Sequence, residues 1–443
     1  MISRCLILGG GATGLAAGLA SAFPVFETTK QPGGICSSYW VCPGKTERIH
    51  ERPQDGRAYR FEIGGGHWIF GGEPAVLAFL RSFRELRSYV RRSAVYFPER
   101  HQVVPYPLQN HLHHLGPKFA GRALAEMGAP SGAVTTMRDW LAHHFGHTLC
   151  NEFFFPFHDL YTAGLYDRIA PQDAFKSPVD LAAVKRGAHG EGDDEVGYNA
   201  RFVYPADSLG GLANAMATGC EMHFDATVVR IDLRSRVVHF ADGSIEPYDR
   251  LISTLPLTTM MEITSLSVNS PADPFTSVVV LNIGARRGSS CPDQQWLYVP
   301  SSRAGFHRVG FYSAVEPDFL PASDDSRAEK VSIYVERAYP GGARPSSGDL
   351  DAFRRAAVEE LQEWGFIAEV EVVDTTWIDV AYTWSWPGSP WRERALRALE
   401  ACDIFPVGRY GRWAFQGIAD SIRDGLMVGS ALRYFDLSKG LLS

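Results

Sequence analysis

Three glycines, Gly9, Gly11 and Gly14, stand between the apolar run 4–8 (RCLIL) and a helix of small residues over 12–22, and nothing else in the chain constrains its fold as strongly. A buried strand that turns at once into a helix needs clearances that only glycine supplies. The first makes the tight turn, the second lets a ligand approach the backbone, and the third packs helix on strand. The next strand reads 24–28 (PVFET), and Glu27 near its end is placed to accept ribose hydroxyls. Two parallel strands joined through a helix imply a doubly wound sheet. The helix N-terminus then offers free N–H groups and positive dipole to a pyrophosphate.

A nicotinamide dinucleotide satisfies the same motif, but later glycines favour FAD. Gly33 and Gly34 follow the second strand, and FEIGGGHWIF (61–70) brings Gly65 and Gly66. Gly408-Arg409 followed by Asp424-Gly425-Leu426-Met427 reads as a strand, a turn and a second helix N-terminus at the cofactor. Val228, in the returning strand run MHFDATVVRIDL, completes the expected FAD contacts.

With 443 residues the chain is long for one core. The expected fold is α/β: an FAD-binding, Rossmann-like doubly wound domain (1–75, 203–262 and 396–443), a mainly helical insert (76–202) and an antiparallel-sheet substrate domain (263–395). Apolar residues at three and four spacing predict helices over VLAFLRSFRELRSYV (76–90) and MRDWLAHHFG (137–146), and the polar stretch 179–200 reads as a mobile loop. A net charge of −7 argues against non-specific nucleic-acid binding. The seven cysteines are scattered, with no zinc spacing, so no metal is expected and the thiols read as reduced in a cytoplasm. Arg4 and the apolar stretch behind it mimic a signal peptide, but the glycines and Glu27 favour the nucleotide fold. No run reaches the roughly 18 apolar residues of a spanning helix, so no membrane partner is expected.

These pieces resemble the flavin amine oxidase and protoporphyrinogen oxidase superfamily, and within it most closely the UDP-galactopyranose mutases. GGHWIF (65–70) is similar to the segment that sets a histidine, here His67, beside the flavin. VPYPLQN (104–110), with Tyr106, Gln109 and Asn110, looks like the uridine side of the family's pocket. Asn199 matches an asparagine that helps hold the nucleotide, and Tyr298 and Arg308 match a substrate tyrosine and a diphosphate-binding arginine. Tyr161 and Tyr382 are further expected substrate contacts. The departures lie at the diphosphate. Lys176 stands near a second arginine's position, and Trp386 and Phe415 stand where two tyrosines are usual. A lysine there keeps the charge but loses the bidentate fork.

The resemblance implies a redox-neutral mutase that interconverts pyranose and furanose forms of a nucleotide-activated sugar, possibly a different sugar from the family's. Reduced FAD would attack the anomeric carbon through N5 and displace the nucleotide diphosphate, whose charge Arg308 and Lys176 would stabilise. Its partners would be the small-molecule substrate and a system that reduces the flavin. The alternative is an oxidase or desaturase of an amine or natural-product precursor, which the aromatic run Tyr382, Trp384 and Trp386 also suits.

Overall fold

The computed structural model describes residues 4–127, 132–172, 180–191, 200–322 and 327–441, with the side chains of the last helix described through Phe435. Strand Cys5–Leu8 pairs in parallel with Val25–Phe26 on one side and Arg250–Ser253 on the other. Met222–His223 and Ile404–Pro406 close a five-stranded parallel sheet, so three separated stretches of chain build it. Its central strand is buried throughout, which is why it reads as an unbroken apolar run rather than an alternation.

The helix Ala12–Ser21 is made of small residues because a second helix, Ile418–Leu441, lies along it. A Cβ at Gly425 would sit 2.2 Å from the Thr13 carbonyl oxygen, and one at Gly429 would sit 2.5 Å from that of Ala17. Backbone meets backbone there.

The second layer is a seven-stranded sheet, ordered Ile367–Thr383, Phe275–Arg287, Lys330–Pro340, Arg308–Phe311, Trp296–Tyr298, Ser93–Phe97 and Gln102–Pro105. The helix Ser347–Glu363 packs on its outer face, started by a capping box between Ser346 and Asp349. The parallel sheet and this separate, mostly antiparallel sheet are the two-part α/β architecture expected from the sequence.

Two local expectations need correction. The helix expected over 76–90 ends at Arg81, and Leu86–Val90 is a strand that pairs with Arg201–Pro205. Pairing with a distant strand outweighed a local period that fits both states over so short a run. The segment 76–202 also contributes the strands Ser93–Phe97 and Gln102–Pro105 to the seven-stranded sheet. Within 179–200, the helix Leu181–Ala188 forms where a loop was expected, capped by the Asp180 carboxylate accepting from Ala182 N at 2.9 Å and Ala183 N at 3.1 Å. Among the described residues no helix is long and apolar enough to cross a membrane.

Candidate active site

A cavity of about 820 Å³ runs from the carboxyl ends of the parallel strands to the inner face of the seven-stranded sheet. Its first end is the glycine cradle, and the three motif glycines differ there in what excludes a side chain. At Gly14 a Cβ would lie 1.8 Å from the Gly9 carbonyl oxygen, and at Gly9 (φ +98°) it would lie 2.2 Å from Thr254 Oγ1. Protein fills both places. Gly11 has ordinary backbone angles (φ −71°, ψ −178°), and a Cβ there meets nothing nearer than the Gly33 carbonyl oxygen at 3.9 Å. The free space at Gly11 opens into the cavity at the start of the helix Ala12–Ser21, a place suited to a pyrophosphate. Glu27 lines the same end, held by Gly10 N at 2.7 Å and Thr29 N at 2.9 Å. This cradle fits the dinucleotide half of FAD.

At the far end the glycine run 64–66 passes beneath the sheet. A Cβ at Gly66 would fall 2.0 Å from the Tyr334 hydroxyl, and one at Gly310 would fall 2.0 Å from the same ring, so both glycines make room for Tyr334. His67 follows. Burial, with help from the cations Arg409 and Arg308 and against the pull of Glu336, lowers its pKa to about 4, so the ring is neutral at physiological pH. Arg409 gives hydrogen bonds to the carbonyl oxygens of Gln416 (3.3 Å) and Ala381 (3.2 Å) and is in no ion pair among the described residues.

Arg308 faces Glu336 directly across the ladder, and the two form a buried ion pair. The His307 ring lies 3.6 Å from the other Glu336 oxygen. Burial alone would raise the Glu336 carboxyl, but Arg308 and His307 outweigh it and hold its pKa at about 2. The arginine expected to meet a diphosphate is thus paired with a carboxylate through one Nη, while its buried Nε has no hydrogen-bond partner among the described residues.

Aromatic rings form the remaining wall. A π-helical turn, Cys150–Phe154, continues into the helix Phe155–Tyr161 and turns Phe153, Phe154, Phe157 and Tyr161 toward the cavity. π-turns of this kind recur at functional sites because the extra residue re-aims the side chains that follow. Tyr161 stands 4.7 Å from Tyr382 and 5.2 Å from His307, and Tyr106 stands 4.7 Å from Tyr298, ring centre to ring centre.

Of the expected site residues, the cavity is lined by Gly9, Gly11, Glu27, Gly33, Gly34, Gly66, His67, Arg308 and Arg409, and on the substrate side by Tyr106, Tyr161, Tyr298, Tyr382 and Phe415. Gly65 backs Glu336, and Gly408 (φ +72°) lets the chain cross close to Thr13. Others lie elsewhere. Gln109 and Asn110 are buried in the 3₁₀ segment Leu108–Leu115, where helix Leu181–Ala188 covers them so closely that a Cβ at Gly187 would meet the Asn110 carbonyl oxygen at 1.8 Å. Trp386 is drawn away from the cavity, its indole N–H donating to the Ala272 carbonyl at 3.0 Å and its amide to Asp273 Oδ1 at 3.1 Å. Tyr382, near the end of the preceding strand Ile367–Thr383, faces the cavity instead and keeps a hydroxyl there.

Val228 sits in the three-stranded sheet formed by Val228–Asp232, Val237–Phe240 and Ile245–Pro247, and packs into the neighbouring core rather than lining the cavity. The expected helix start at 424–427 is corrected. The helix begins at Ile418, so Gln416, Gly417, Ile418, Asp420 and Ser421 reach the cavity, while Asp424 accepts from Gln416 Nε2 at 2.7 Å and Met427 is 62% exposed. Lys176 and Asn199 lie outside the described residues.

Sequence reasoning missed Glu336, Arg91 and the phenylalanines of the π-turn. A carboxylate inside the apolar strand run KVSIYVERAY and the run FFFPF at 153–157 were the available signals.

The model of the flavin containing amine oxidoreductase family matches residues 48–383. Among solved structures, a reduced UDP-galactopyranose mutase superposes with a TM-score of 0.80 at 20% identity, over 98% of this chain and 96% of that one. A CLA-producing fatty acid isomerase from P. acnes follows at 0.59 and 15% identity, covering 97% and 98%, and a putrescine oxidase bound to putrescine at 0.55 and 15%, also 97% and 98%. These identities establish a shared fold. No curated protein matches by sequence.

Proposed function

The chain belongs to the flavin containing amine oxidoreductase family and is an FAD enzyme; from that premise we propose that it is a redox-neutral mutase that interconverts the ring forms of a nucleotide-activated sugar. The observation that carries this reading is the state of the cavity's acids. Three carboxylates line it, and each is committed: Glu27 to backbone N–H groups, Glu336 to Arg308, and Asp420 to Arg423 at 3.5 Å. An amine substrate arrives as a cation, and the described walls offer it ring faces but no carboxylate left over. Five tyrosines, Tyr106, Tyr161, Tyr298, Tyr382 and Tyr410, line the cavity instead, and hydroxyls suit a neutral polyol.

Gly9, Gly11, Gly33 and Glu27 would hold the dinucleotide half of FAD, and the run 64–67 with Arg409 would hold its ring. When bound and reduced, the flavin supplies a nucleophile for the anomeric carbon. The protein's own part is placement and charge. Phe153, Phe154 and Phe157 keep water from the reacting carbon. Neutral His67 gives a hydrogen-bonding edge without adding charge. The Arg308–Glu336 pair presents a fixed dipole, and Arg409 supplies a cation not offset by a carboxylate in any described ion pair.

The same phenylalanines favour a second reading, hydride transfer from an apolar substrate. Anaerobic incubation of the dithionite-reduced holoenzyme with a panel of nucleotide sugars, with products followed by NMR, separates the two. A mutase gives a ring-isomerised product with no net reductant consumed, and none with 5-deaza-FAD in place of FAD. Stoichiometric bleaching of oxidised flavin by an apolar substrate would replace this proposal with the redox one.

A further inference from the structure

A second, open cavity of about 430 Å³ adjoins the first and shares Phe415, Gln416 and Asp420 with it, so it forms a vestibule. Three arginines reach it from three helices: Arg392 from Trp391–Glu400, Arg412 from the end of Gly408–Gly411, and Arg423 from Ile418–Leu441. The vestibule's acids are engaged. Asp420 Oδ1 lies 3.5 Å from Arg423 while Oδ2 accepts from Gly417 N at 3.3 Å, and Asp424 holds Gln416 at 2.7 Å. Arg423 also meets Glu73 at 3.2 Å. Arg392 and Arg412 are exposed and enter no ion pair or side-chain hydrogen bond among the described residues.

Arg392 acts electrostatically on the Asp273 carboxylate, yet neither guanidinium is tied into an ion pair among the described residues, so both can meet an anion. Their planar forks match phosphate oxygens in pairs. Deeper in, Arg308 is cancelled by Glu336. Besides Arg409 inside, positive charge in no described ion pair therefore stands at the mouth as well. Phe415, 38% exposed, stands as the wall between the two spaces and offers a face rather than a hydroxyl.

We propose that Arg392 and Arg412 form the anion site of this protein, taking the phosphate or diphosphate tail of a ligand whose reacting end enters the main cavity. The inference rests on the mutase reading for the reacting end alone.

Binding to the FAD-loaded enzyme tests it without turnover, so failure of the anion site and failure of the mutase reading are told apart. The probes are inorganic pyrophosphate and UDP, titrated by calorimetry at low and high salt. Arg392→Ala/Arg412→Ala should weaken both roughly tenfold or more and flatten the salt dependence. Arg308→Met/Glu336→Gln, which removes both buried charges together, should change binding by less than about threefold. The reverse pattern would overturn the proposal by returning the anion to Arg308. Wild-type enzyme that binds neither probe at millimolar concentration would overturn it as well. A displaced tail and a separate phosphate ligand are distinguished by competition: pyrophosphate must compete with the whole substrate in the first case and not in the second.

Discussion

Gly11→Val should empty the cofactor site while leaving the apoprotein folded. Gly11 has backbone angles open to any L-residue, and its added Cβ would be 3.9 Å from the nearest atom, an ordinary contact. Replacing glycine at such a position costs or gains about 1 kcal/mol at most, partly through the unfolded chain. The space taken is the space a ligand needs. If the methyls push a phosphate off two helix-start N–H groups, each charged hydrogen bond forfeits about 1.5–3 kcal/mol, together roughly 3–6 kcal/mol or 10²–10⁴ in Kd. Urea unfolding of apoprotein gives the first quantity, and FAD titration by fluorescence quenching gives the second. Gly14→Ala is the contrast. Its Cβ would fall 1.8 Å from the Gly9 carbonyl oxygen, so the fold itself should suffer, with added FAD unable to restore it. FAD bound at wild-type affinity by Gly11→Val would refute the placement of the cofactor. An apoprotein that unfolds on Gly11→Ala would refute the reading of the turn.

Three further outcomes follow from the buried charges. Arg308→Ala strands Glu336 in the interior and should cost about 3–5 kcal/mol in denaturant unfolding, whereas Arg308→Met/Glu336→Gln should cost far less. Glu62, raised by burial to about 7 against Arg60 and its Tyr204 and Ser38 hydrogen bonds, favours the fold when protonated. Its contribution is full below its ordinary value of 4.5 and is lost as pH climbs to about 7, so Glu62→Gln should flatten stability over that window, by up to roughly 3 kcal/mol. His67, depressed to about 4 mainly by burial, stays neutral from pH 5 upward. A kcat/KM profile should therefore carry no inflection near 6.5 that His67→Asn removes.

The cofactor cradle was legible because its constraints are local. Gly9, Gly11 and Gly14 lie within six consecutive residues, and their spacing encodes turn, approach and packing in one strand–helix step. The tail was harder. Gly425 looked like a cofactor glycine, but its smallness serves contact with Thr13 on another helix, a requirement set by packing between helices distant in sequence. Trp386 and Tyr382 show the same limit. Trp386 is held by hydrogen bonds to Ala272 and Asp273, partners more than a hundred residues away and outside any window around it. Strand Leu86–Val90 passed for helix because five residues carry too little period to separate the two.

Charge is where sequence resemblance and folded arrangement part furthest. Arg308 keeps the residue type expected of a diphosphate ligand, yet its value as a ligand depends on Glu336, which is 28 residues away in the chain and directly opposite in the ladder. With Glu336 held at about 2 by the pair, an arriving anion meets an arginine whose charge is already offset and gains less from it, although its Nε remains without a described hydrogen-bond partner. A phosphate is better met by cations that no carboxylate already pairs. Among the described residues Arg392 and Arg412 at the mouth, and Arg409 inside, are in no ion pair. A protein of net charge −7 that captures an anion gains from cations at the mouth, because steering acts before entry.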